Sequence, residues 1–100
     1  MSQSLGHIVL NGARALLRTP DDWLQDAFRQ GNRRCIDQAI MDSARQIVTS
    51  RKDSRAAARA ARHLIYAKTD LRNARDIQRW NDDTRRTHAE VVSLLDRCAA

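Results

Sequence analysis

One hundred residues with 42% hydrophobic side chains, four aromatics, a net charge of +6 and two cysteines make a single domain, residues 1–100, with a thin aliphatic core. No run approaches the roughly 18 consecutive apolar residues that cross a bilayer, and the N-terminus lacks the charged, apolar, small-residue order of a secretion signal; a cytoplasmic protein without a membrane span is expected. One proline, three glycines and few Val/Thr runs argue against a hairpin-rich β fold, so the composition reads as all-α, a compact bundle of five or six short helices.

In chain order, Ser4 can cap a first helix over residues 5–18, with Leu5, Ile8, Val9, Ala13, Leu16 and Leu17 as its apolar stripe. Gly6 and Gly12 cost that helix about 1 kcal/mol each relative to alanine, unless close packing against a neighbour requires them. Thr19-Pro20-Asp21-Asp22 is a cap, an N1 proline and two first-turn acids. It predicts a second helix of about three turns that buries Trp23, Leu24, Ala27 and Phe28 and stops at Gly31.

Asn32 then caps a third helix over 33–49, in which Cys35, Ile36, Ala39, Ile40, Ala44, Ile47 and Val48 follow helical spacing. The segment 49–54 reads as a loop. A fourth helix over 54–68 places Arg55, Arg59 and Arg62 in one sector, with Arg51 in line if the helix reaches back, and Ala57, Ala60, Ala61, Leu64 and Ile65 opposite. Asp70 can cap a fifth helix carrying Leu71, Ala74 and Ile77 towards Trp80. After a polar turn, Thr87 and Glu90 form a capping box for a last helix whose face is Val91, Val92, Leu94, Leu95 and Cys98, with Trp80 as its expected anchor.

Of the 18 cationic residues 16 are arginine, the side chain suited to bidentate recognition of carboxylate or phosphate. Between Arg51 and Arg79 nine basic residues face three acids, which accounts for the whole net charge. Such a face can attract nucleic acid or an acidic protein surface, or be only a solvated helix face. Sequence-specific DNA reading by a helix-turn-helix is disfavoured, because helix four offers few Asn, Gln, Ser or Thr for base edges. His7, His63, His88, Cys35 and Cys98 have no metal-ligand spacing, so neither metal nor cofactor is expected. Cys35 lacks a base with an orienting partner and reads, like Cys98, as a buried reduced thiol. Asp82 and Asp83 read as turn formers, and Glu90 as a cap.

Trp80-Asn81-Asp82, Arg86-Thr87, His88-Ala89-Glu90-Val91 and Leu94-Leu95-Asp96, together with Trp23, Gln25 and Ala27 and with Cys35 and Ala39 upstream, resemble the signature of an uncharacterised family of small helical proteins of bacteria and their phages. Residues 50–75 lie outside the likeness. Thr84-Arg85 stands where that pattern has Pro-Gly, and the connection from Phe28 to Cys35 is shorter. The resemblance implies a fold signature in Trp23, Cys35, Trp80, Asn81, Asp82, Thr87 and Glu90, a phage or mobile-element setting, and no catalytic residue.

The expectation is a non-enzymatic binding protein that engages a host protein or ribonucleoprotein complex, for example a defence system in the manner of an anti-CRISPR. Arg55, Arg59 and Arg62 would make the contact, with Arg51, Arg72, Arg75 and Arg79 as a wider rim. The alternative is a nucleic-acid binder using the same face. The alanine side of helix four suits an internal seam or a homodimer seam equally.

Overall fold

Helix starts follow the local capping chemistry in the computed structural model, which describes residues 3–100. Ser4 caps α1 (Leu5–Leu16), Ser50 caps α3 (Arg51–Lys68) and Asn73 caps α4 (Ala74–Asp82), each accepting a backbone N–H of the first turn on its side-chain oxygen. Thr87 caps α5 (His88–Ala99). Its capping box is closed by Glu90, whose carboxylate accepts the Thr87 N–H at 2.9 Å and is thereby held below the ordinary Glu range. The cap of α2 (Ile36–Ile47) is Cys35, whose Sγ accepts the Gln38 N–H at 3.3 Å. Thus α2 begins later than the Asn32 start predicted, α3 earlier than residue 54, and α4 at Asn73 rather than Asp70.

The predicted second helix does not form. Only Pro20–Asp22 make a 3₁₀ turn, in which the Asp22 carboxylate accepts the Thr19 backbone N–H and hydroxyl at 3.1 and 2.9 Å. Beyond it the chain bends through residues 25–28, with Asp26 at φ +65, and bonds to other elements: the Leu24 N–H donates to the Arg34 carbonyl at 2.9 Å, and the Asp26 N–H to the Asp82 carboxylate at 2.9 Å. Trp23 and Leu24 are buried while Ala27 and Phe28 are not, Phe28 standing 53% exposed. A helical face needs positions four apart on the same side, which this burial pattern contradicts.

Arg29–Gln30 (β1) and Arg33–Arg34 (β2) then pair antiparallel around Gly31-Asn32. Gly31 sits at φ +61, so it makes the hairpin turn rather than a helix stop.

α1 is the central element, packed against α2, α3 and α5. Its buried side is Gly6, Val9, Leu10 and Ala13, continued by Leu17, whereas Leu5 and Ile8 of the predicted stripe are exposed. Two close approaches set that rotation. A Cβ on Gly6 would lie 2.9 Å from the Ala60 carbonyl oxygen, and one on Gly12 would overlap the Ser43 hydroxyl. The latter donates to the Val9 carbonyl at 2.7 Å. The core is completed by Ile36, Ala39 and Ile40 of α2, Ala57, Ala61 and Ile65 of α3, Ile77 of α4 and Val91, Leu95 and Cys98 of α5.

Trp80 is only half-buried at the edge of this core, covered by the Arg86 guanidinium at 3.7 Å from the ring centroid. Its neighbour Asn81 is the fully buried residue of this turn, 0% exposed.

Candidate functional site

Four arginines of α3 lie on one side of the helix because 51, 55, 59 and 62 return to one sector at 100° per residue. The side adjoining them, Ser54, Ala57, Ala58, Ala61 and Ile65, is buried. Small residues there bring α3 close to its neighbours. Between α3 and α2 this leaves a groove of about 750 Å³ lined by Met41, Arg45, Thr49, Arg51, Ser54, Arg55, Ala58, Arg59 and Arg62. Among the described residues that line it there is no carboxylate and no aromatic ring.

The arginines are not equivalent. Arg62 spends Nε and Nη2 on Asp37 at 2.7 and 3.1 Å, with only 7% of the Asp37 side chain exposed. Burial works against the Arg62 charge, but the carboxylate outweighs it and holds the pKa above the ordinary guanidinium value. Arg62 therefore braces α3 against α2 as well as lining the groove. Arg51, Arg55 and Arg59 are exposed and form no ion pair among the described residues.

Arg45, which sequence reasoning did not single out, joins them from α2, where its guanidinium is 3.8 Å from Asp42. That carboxylate is already held by Arg34 at 2.6 Å and by Arg29, so this edge also carries a cationic excess. Arg72, Arg75 and Arg79, the expected rim, are exposed on and just before α4, and none of them lines the groove.

A second cluster gathers most of the signature residues at the end of α4. Asn81 Oδ1 accepts the Trp23 indole N–H at 2.8 Å and the Ile36 N–H at 3.0 Å, while Nδ2 donates to the Leu24 carbonyl and the Asp82 carboxylate, each at 2.9 Å. The Gln25 amide donates to the carbonyls of Asn81 and Asp83 at 3.0 and 2.7 Å. One side chain thus ties the 23–26 segment, the start of α2 and the end of α4 together. Trp80-Asn81-Asp82 is the last turn of α4, not the turn itself, which is Asp83–Arg86 with the Arg86 N–H on the Asp83 carbonyl. Asp83 bonds its own turn as expected, through the Arg85 N–H at 3.0 Å, whereas Asp82 accepts from Asp26, Gln78 and Asn81.

The remaining candidates are committed elsewhere. His88 Nε2 donates to the Leu17 carbonyl at 2.6 Å, His7 bonds its cap Ser4, and His63 lies against Tyr66. Cys35 and Cys98 are both free and buried. Burial pushes the Cys35 thiol up to about 11. With the folded value above the unfolded one of about 8.5, its contribution to stability is full below about pH 8.5 and is lost as pH rises towards 11. Native protein at pH 8 should therefore resist alkylation by iodoacetamide at Cys35 and label only when unfolded. Rapid labelling of the native chain would mean the thiol is reachable and ionised.

Residues 1–100 match the family described as "Family of unknown function (DUF6197)", and the chain belongs to it. No curated protein and no solved structure matches.

Proposed function

We propose that this member of a family of unknown function is a small non-enzymatic binding protein that engages a host protein or ribonucleoprotein complex through the groove between α2 and α3. One observation carries the reading: Arg51, Arg55 and Arg59 stand exposed, free of ion pairs among the described residues, along a groove whose described lining holds no acid. Unpaired guanidiniums on a rigid helix are a ready counterpart for carboxylate or phosphate groups. Burial of both thiols and the structural bonding of Asn81 and His88 support a binding rather than a catalytic role. A cytoplasmic accessory protein that blocks a defence complex, as an anti-CRISPR does, is one role such a face would serve; among the described residues no helix is long and apolar enough to cross a membrane.

The nucleic-acid reading is favoured by one further observation, the cationic excess around Asp42 that extends the basic surface beyond the groove. An affinity pull-down from host lysate, with and without nuclease, separates the two. The parent should retain a discrete protein complex after nuclease treatment, and an Arg51/Arg55/Arg59→Glu variant should lose it. Arg62 is left intact because its partner is Asp37. Recovery of nuclease-sensitive material alone would assign the face to nucleic acid.

A further inference from the structure

The groove is built in a way that selects among acidic partners. Along α3, Arg51, Arg55 and Arg59 are four residues apart, so successive positions rise by about 6 Å, and the line from Arg51 to Arg62 covers about 16 Å, three turns. Arg45 faces them from α2. Beneath them Ala58 is only 3% exposed, so the half-buried Met41 is the apolar side chain of the lining that offers surface between the cationic walls.

We propose that this groove receives an acidic amphipathic α-helix of a partner protein, its apolar side on Met41 and its carboxylates on the arginines. The inference rests on the reading of this groove as the partner-binding surface and adds the class of partner. Carboxylates at i, i+4 on an incoming helix repeat at the same rise of about 6 Å as the arginines, so a helix laid along α3 can satisfy several at once. An apolar side chain between charged walls suits the helix-in-groove mode of recognition, in which an apolar edge of the incoming helix lies beside its charged one. A phosphate backbone has nothing apolar to place there. The described lining also lacks an aromatic platform on which bases could stack, and it offers only the Thr49 and Ser54 hydroxyls to base edges. Arg62 adds a pre-positioned donor: with Nε and Nη2 held by Asp37, its remaining Nη1 loses little freedom on binding.

Fluorescence anisotropy with the full chain at about 150 mM salt tests this with four probes. These are a helical peptide of about 16 residues, with Glu at i, i+4 on one edge and Leu and Met on another, its scrambled version, a polyglutamate of equal length and a DNA duplex of comparable charge. The amphipathic peptide is expected to bind at least about tenfold tighter than any of the other three. Arg55→Glu with Arg59→Glu should weaken it by at least about tenfold, and Met41→Gln by about fivefold while leaving polyglutamate unchanged. Both variants sit at surface or half-buried positions, and thermal melts report that they fold; the ranking of probes needs no variant. Equal binding of polyglutamate, tighter binding of the duplex, or no binding of the peptide would each overturn the inference. If the peptide fails while the lysate complex survives nuclease, only the helical partner falls; if the lysate complex is nuclease-sensitive, the functional reading falls with it.

Discussion

Asn81→Ala is expected to destabilise the protein by about 4 kcal/mol, a drop in Tm of roughly 15–30 °C for a domain of this size. The substitution strips the acceptor from the Trp23 indole N–H and the Ile36 N–H and the donor from the Leu24 carbonyl, and all three sit where water does not reach Asn81. Each orphaned buried group costs about 1–3 kcal/mol, and the lost amide leaves a cavity besides. Far-UV circular dichroism during thermal and urea denaturation measures the effect. A stability within about 1 kcal/mol of the parent would mean that water or a neighbouring group replaces the amide. Asn81→Asp should be at least as damaging at neutral pH, because it keeps one oxygen for Trp23 but turns a second towards the Leu24 carbonyl and the Asp82 carboxylate. The introduced carboxyl is pushed up by burial and by Asp82, so the variant's deficit should shrink as pH falls towards 4 and the group takes a proton. A loss of binding in either variant reports folding, and neither tests catalysis.

Gly6→Ala and Gly12→Ala should both destabilise, by about 2–3 kcal/mol and about 1–2 kcal/mol, although alanine is the better helix former by about 1 kcal/mol. The Gly6 site meets the Ala60 main chain, which cannot rotate out of the way, so α1 and α3 must separate. At Gly12 the obstruction is the Ser43 side chain, and displacing its hydroxyl breaks the bond to the Val9 carbonyl. Adding Ser43→Ala should relieve the overlap in Gly12→Ala, so that the double variant is no less stable than Ser43→Ala alone by more than about 1 kcal/mol, and should relieve nothing in Gly6→Ala. Chemical denaturation of the three single and two double variants decides this, and stabilisation by either glycine replacement would mean that α1 packs less closely than described.

The elements legible in advance are those whose signals are local. Thr87 and Glu90 meet within one turn, Ser4 bonds three residues ahead, and the α3 arginines share a face through helix geometry alone. The segment 20–31 was misleading because its helix-start signal was real but satisfied by a single 3₁₀ turn. Gly31-Asn32 between short runs was the available cue for a hairpin. It competed with an equally ordinary reading of Gly31 as a helix stop.

For the groove, the sequence placed Arg51, Arg55, Arg59 and Arg62 on one side of α3 but had no means of separating them. Asp37 is 25 residues from Arg62, and only the packing of α2 on α3 pairs the two and leaves the other three unpaired. The same packing brings in Arg45 and leaves Arg72, Arg75 and Arg79 out. Asn81 shows the limit most clearly. As a residue between Trp80 and Asp82 it looked like part of a polar turn, while its partners Trp23 and Ile36 lie 58 and 45 residues away. Helical class, the Ser4 and Thr87 caps and the alanine-backed arginine ladder were set by the sequence itself, since propensity, capping and periodicity act within a few residues. Which side of α1 is buried, which arginines are free and what holds the 23–35 segment were decided by tertiary structure, because close approach and buried hydrogen bonds depend on residues that meet only when the chain is folded.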